Sequence, residues 1–129
     1  YLMEVGARMG GDFISTVLTR LSSGVDMIAA AVNCALGIEP DLQPAEKGAG
    51  VCIRYFTPKP GVLNDVKNVE VLKHPSVFDS AIYCKVGDIV QDVTSSLCRC
   101  GHVIVTAENA DAAVELAEEL ISYVEFEIK

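Results

Sequence analysis

Residues 39–48 of this 129-residue chain constrain its fold more than any other stretch. They read Glu-Pro-Asp-Leu-Gln-Pro-Ala-Glu-Lys-Gly, with Pro40 and Pro44 among three acids. Proline removes a backbone donor and turns the residue before it away from helix, so neither a helix nor a paired strand runs through. The chain therefore divides into a first part at 1–38, a linker at 39–48 and a second part at 49–129. The two parts carry different hydrophobic periods.

The first part reads strand, glycine turn, helix, helix. Alternation over 2–9 predicts a strand, after which Phe13, Ile14, Val17, Leu18 and Leu21 recur at helical spacing. Ser22-Ser23-Gly24 stops that helix, and Asp26 is placed to cap the next one. Residues 27–36 are apolar almost all round, which predicts burial on more than one side, and Gly37 and Pro40 end the segment.

The second part is β-rich. Val51, Ile53 and Tyr55 alternate with Cys52, Arg54 and Phe56, which predicts a strand over 50–57. Pro58-Lys-Pro60-Gly61 is a turn by composition. Further β segments are expected at 62–66, 69–72, 78–85 and 88–93, with a turn at Gly87-Asp88, and another strand at 101–106. Glu108-Asn109 opens a helix whose face is Ala113, Leu116, Ala117, Leu120 and Ile121. A strand bearing Val124, Phe126 and Ile128 closes the chain. The expected class is α+β: a strand–helix–helix remnant, then a small mixed β domain with one C-terminal helix.

Charge and composition exclude some functions. Eighteen acids against ten Lys and Arg give a net charge of −8, which opposes a nucleic-acid partner. No apolar run reaches the ~20 residues of a membrane span, so a membrane partner is not expected either. Five cysteines in a chain half of whose residues are hydrophobic suggest reduced thiols and a cytoplasmic location.

The chemistry concentrates at the start. On a strand, Glu4 and Arg8 share a face roughly 13 Å apart. Gly10-Gly11 then turns the chain into a helix start, where N–H groups and the helix dipole favour an anion. A carboxylate for a metal, a guanidinium for phosphate and an anion nest are parts that nucleotide-driven chemistry needs. The residues alone leave plainer readings open. Glu4 and Arg8 equally suit a solvated ion pair contributing under about 1 kcal/mol. Gly10 and Gly11 equally suit a bare turn, and Asp12 suits a helix cap better than a catalytic role.

The run Glu4-x-Gly6-x-Arg8-x-Gly10-Gly11-Asp12 resembles the end of an ATP-grasp ligase catalytic domain, whose usual form is Glu-x-Asn-x-Arg. Leu21-Ser-Ser-Gly24-Val-Asp26-Met and Ala35-Leu-Gly37-Ile-Glu-Pro40 continue in that style. The resemblance is to L-amino-acid ligases and other carboxylate–amine ligases, and more distantly to phosphoribosylglycinamide synthetase, biotin carboxylase and carbamoyl-phosphate synthase. It implies ATP and Mg²⁺ as cofactors, Glu4 as a Mg²⁺ ligand, and Arg8 as a catalytic clamp on the transferring phosphate. It implies that Gly10 and Gly11 receive a substrate carboxylate. Gly6 stands where the family places Asn, a second metal contact. The lid and phosphate-holding lysines of such enzymes lie upstream of this motif, so the chain is expected to be a C-terminal fragment, inactive alone.

Arg54-Tyr-Phe-Thr-Pro-Lys-Pro-Gly61, Lys85-Val-Gly-Asp88 and Arg99-x-Gly101-x-Val-Ile-Val resemble the small C-terminal domain of L-amino-acid ligases. That likeness makes Arg99 a substrate-contacting residue. Cys98, Cys100 and His102 would share a face on a strand, yet their spacing is not that of a zinc knuckle, and buried thiols are the simpler expectation. His74, before Pro75, reads as a surface residue.

The functional expectation is an ATP-dependent carboxylate–amine ligase acting through an acyl phosphate. Its partners are small-molecule carboxylate and amine substrates and the N-terminal part of the same enzyme. The alternative is a non-catalytic binding or oligomerisation module that keeps the ligase fold. Under that alternative an exposed strand edge and the apolar faces of two helices predict self-pairing, as a homodimer or larger oligomer.

Overall fold

In the computed structural model, residues 5, 6 and 8–129 are described. They form two compact units, 1–49 and 50–129.

In the first unit, Asp12 and Phe13 both take positive φ, at 52° and 64°. A π-helical turn, Ile14–Leu18, follows and runs into α1, Thr19–Ser23. The cap position is Phe13, with no side-chain cap hydrogen bond, so Asp12 is not the N-cap that its residue type suggested. The left-handed pair at 12 and 13 moves the helix start one residue on. Gly24 ends α1 at φ 80°, its N–H donating to the Arg20 carbonyl. Helix α2, Met27–Ala35, begins where Asp26 accepts a hydrogen bond from the Ala29 N–H at 2.9 Å, as the sequence predicts.

The burial expected of α2 is not met. Only Ala30 is buried, while Ile28, Val32 and Leu36 are exposed. A unit of this size holding two short helices has too little chain to cover a helix that is apolar all round. Half of the strand expected over 2–9 lies outside the described residues, and the residues of it that are described, 5, 6, 8 and 9, carry no strand.

The second unit holds six strands, all antiparallel in their pairings. They are β1 (Gly50–Phe56), β2 (Gly61–Lys67), β3 (Val77–Ile82), β4 (Ile89–Val90), β5 (Gly101–Ala107) and β6 (Glu125–Ile128). One sheet has the order β1-β5-β3 and the other β4-β2-β6. Residues 69–72, expected as strand, belong instead to a 3₁₀ helix, Val69–Lys73, entered through Asn68 at φ 58°. Val71 and Leu72 both pack against the unit's two core clusters. Adjacent residues on a strand point to opposite faces, so only a helical turn sends both inward.

Helix α3, Ala110–Tyr123, starts at Asn109, whose side chain accepts from the Ala112 N–H at 2.9 Å. Ala113, Ala117 and Leu120 press against Cys52 of β1 and Val103 and Val105 of β5. The register sets Cys52 opposite Val105 and Arg54 opposite Val103, so these four share the α3 face. Arg54 Nη2 reaches Glu118 Oε1 of α3 at 2.9 Å. Tyr55 stands opposite His102, which in turn stands opposite Ala81, on the other face. A second cluster of Phe56, Leu63, Val90, Cys100 and Val124 joins the two sheets.

Gly101 is needed where it sits. Its φ is 153°, and a Cβ there would stand 2.2 Å from the Ala81 carbonyl oxygen. A side chain would push β3 off the central strand.

Candidate functional site

The N-terminal motif is a turn tied to the start of a helix. The Ser15 hydroxyl donates to the Gly10 carbonyl at 3.1 Å, and the Ile14 N–H donates to the Gly11 carbonyl at 2.9 Å. A Cβ on Gly10 would press on the Ile14 side chain at 3.0 Å, whereas Gly11 has open space around it. Arg8 is exposed and its Nη1 donates to the Met9 carbonyl at 3.0 Å. Glu4, the expected metal ligand, lies outside the described residues. Among the described residues no group of three His, Cys, Asp or Glu gathers to hold a metal.

Arg99 belongs to a different constellation, built on the β1-β5-β3 sheet face away from α3. Its Cζ lies 3.8 Å from the centroid of the Tyr55 ring, a cation–π contact. His102, cross-strand from Tyr55, is 2% exposed. Its Nδ1 stands 2.5 Å from the Tyr83 hydroxyl and its Nε2 3.1 Å from Asp79 Oδ2. Burial raises the Tyr83 phenol above its ordinary pKa, the Asp79 charge adds to that, and Arg99 opposes it. Tyr83 and Arg99 both line a cavity of ≈ 460 Å³, with Asp88, Gln91, Cys98 and Cys100.

The cysteines do not share a strand face. Cys98 ends a short 3₁₀ turn, Ser96–Cys98, and β5 starts only at Gly101. The Cys98 sulfur lies 3.6 Å from the Ser95 hydroxyl and 3.8 Å from that of Thr94, and these hydrogen bonds, that of Ser95 foremost, lower its pKa. Cys100 is buried and pushed up to about 12, by desolvation first and then by its neighbour Cys84. All five cysteines are free thiols. His74, as expected, is exposed.

Of the residues anticipated from sequence, the structure sets Arg99 beside His102's hydrogen-bonded group. Tyr55, Asp79 and Tyr83 were not anticipated. Asp79, Ala81 and Tyr83 alternate along one face, and the unbroken register that sets Ala81 opposite His102 brings that face to it, while the bulge between Val77 and Asp79 leaves Val77 on the α3 side. The alternation is local, but the pairing with β5 is not.

No curated protein matches the chain in sequence. Solved structures that share its fold include two ligases or synthetases. L-amino acid ligase from Bacillus licheniformis matches with a TM-score of 0.76 at 17% identity, over 100% of this chain and 33% of its own. Phosphoribosylglycinamide synthetase from Anaerococcus prevotii matches with a TM-score of 0.66 at 17% identity, over 86% of this chain and 29% of its own. The chain thus spans about a third of the length of the structures it resembles, and at this identity the likeness speaks to fold alone. The family model for L-amino acid ligase C-terminal domain 2 matches residues 54–129, the greater part of the chain. The chain belongs to the L-amino acid ligase C-terminal domain 2 family.

Proposed function

We propose that this chain is the C-terminal portion of an ATP-dependent carboxylate–amine ligase that joins L-amino acids through an acyl phosphate. The observation that carries the reading is the family match over residues 54–129. The fold likeness to an L-amino acid ligase along the whole chain supports it. ATP and Mg²⁺ are the cofactors that this membership implies. Phosphorylation of a carboxylate turns a poor leaving group into a good one, which an amine then displaces.

Glu4 is the proposed Mg²⁺ ligand and Arg8 the proposed phosphate clamp, its planar fork suited to paired phosphate oxygens. The described residues do not by themselves fit a Mg²⁺·ATP site, since Arg8 turns back on the Met9 carbonyl and no metal-ligand cluster accompanies it. Gly10 and Gly11 are the proposed seat of a substrate carboxylate, and Arg99 the proposed substrate contact of the second unit. The isolated chain is expected to be inactive and the enzyme cytoplasmic. No helix among the described residues is long and apolar enough to cross a membrane.

The test uses the full-length protein with Mg²⁺·ATP and a mixture of L-amino acids, read as phosphate release and new dipeptide masses. Release that needs an amino-acid carboxylate supports the reading, and none overturns it. Ligation by the purified 129-residue chain would refute its inactivity.

Self-association is a second reading, favoured by Ile28, Val32 and Leu36 exposed at successive turns of one helix face. A homodimer in sedimentation at tens of micromolar supports it. A clean monomer rules it out.

A further inference from the structure

His102 is a buried titratable group whose two nitrogens are both spoken for. An ionised carboxylate only accepts, so Asp79 takes a hydrogen bond from Nε2–H. In the neutral ring Nδ1 is then a lone pair, and the Tyr83 hydroxyl donates to it. If one proton is added, Nδ1–H donates back to the Tyr83 oxygen and Nε2–H still donates to Asp79. The three side chains satisfy both states without moving. Tyr83, exposed at the far end of the row, lines the ≈ 460 Å³ cavity that Arg99 also lines.

We propose that Asp79, His102 and Tyr83 form a proton relay whose working end, the Tyr83 oxygen, takes a proton from the attacking amine during ligation. The proposal rests on the ligase reading above. As the amine nitrogen bonds to the acyl carbon of an acyl phosphate, one of its N–H bonds breaks and the proton passes to the Tyr83 oxygen. The Tyr83 O–H proton passes to Nδ1 of His102, and phosphate leaves with the electron pair of the C–O bond. Asp79 stabilises the imidazolium, which later returns its proton to water.

Burial and the Asp79 charge keep the phenol protonated in the resting state. Tyr83 can therefore accept a proton only while handing its own on, which is the role the His102 lone pair fills. Arg99 gives the same cavity a positive group, so an α-amino acid would meet it at two points, carboxylate toward Arg99 and amine toward Tyr83. Tyr83 is the catalytic residue of this scheme; His102 and Asp79 position it and store the proton.

The decisive variant is Tyr83→Phe, which keeps the ring and its packing and removes only the relay's end. In the full-length ligase, an L-amino acid mixture serves as carboxylate donor and is challenged with amino acids or hydroxylamine as nucleophile. Hydroxylamine is already unprotonated near neutral pH and reacts with acyl phosphates readily. Dipeptide formation is expected to fall on the order of 10²–10⁴-fold, the range for a lost general base. Hydroxamate formation is expected to fall far less.

Tyr55 and Arg99 beside the relay, and Cys84, Asp88, Cys98 and Cys100 along the cavity, are all retained in Tyr83→Phe. Equal loss of both products, or loss of neither, overturns the relay. Absence of hydroxamate from the unmutated enzyme instead overturns the ligase reading. On the 129-residue chain, ¹⁵N NMR of His102 should show Nδ1 bare and Nε2 protonated at high pH, and the opposite tautomer overturns the relay by itself.

Discussion

The guanidinium carbon of Arg99 lies 3.8 Å from the centre of the Tyr55 ring, joining the segment before β5 to β1 through a cation–π contact. Tyr55 and Arg99 should therefore be energetically coupled. A double-mutant cycle with Tyr55→Leu and Arg99→Ala is expected to give a coupling of about 0.5–1 kcal/mol in urea unfolding. Tyr55→Phe should keep most of it, because the ring face and not the hydroxyl makes the contact. A coupling of zero would mean that the stack holds nothing.

Two thiols separated by one residue are set in opposite ways. Hydrogen bonds from Ser95 and Thr94 lower the pKa of Cys98, while burial and Cys84 push Cys100 up to about 12. The thiolate is the reacting form. Iodoacetamide near neutral pH should therefore label Cys98 well before Cys100, as read by peptide mass mapping. The folded state keeps the Cys100 proton where an unfolded chain would lose it. That contribution to stability is complete below the ordinary thiol pKa and is lost as pH rises towards 12. Labelling of Cys100 first would contradict both environments.

The parts that local chemistry decides were legible in the sequence. Asp26 and Asn109 announce their helices because a short acceptor side chain before an apolar period has few other uses. The alternation through Cys52, Arg54 and Phe56 gave β1 its faces. What long-range register decides was not legible. Val69 to Leu72 has β-branched residues, yet its place between two cores makes it a 3₁₀ turn. His102 finds Asp79 and Tyr83 only because the β3–β5 register sets Ala81 opposite it. A slip of that pairing by one residue would send Asp79 to the α3 face. Arg99 could be picked out by resemblance, but nothing in its own segment points to Tyr55.

Gly101 is predicted to tolerate no side chain. A methyl group there would sit 2.2 Å from the Ala81 carbonyl and 3.0 Å from the Phe56 ring, at a φ of 153°. Relief would have to come from backbone on a strand paired on both sides. Gly101→Ala should cost about 2–3 kcal/mol. Urea unfolding checks this, and a loss under half a kcal/mol would show that β3 can move aside.

Leu120 makes the sharpest test of how α3 holds the sheet. It is 5% exposed and lies against Cys52, Val103 and Val105, alongside Ala113 and Ala117 of its own helix. Leu120→Ala should cost about 2–5 kcal/mol, lost burial plus the cavity left behind. That is a large share of the ~5–15 kcal/mol that holds a typical domain folded. The two alanines test the opposite error. Ala117 has no exposed surface, so Ala117→Leu adds volume where helix and sheet already touch, at a cost of about 1–3 kcal/mol. Leu120→Met, which nearly conserves volume, should stay below about 1.5 kcal/mol. Midpoints measured in urea at unchanged slope decide the ranking. If Leu120→Ala cost no more than Leu120→Met, the helix would not be anchored through this residue.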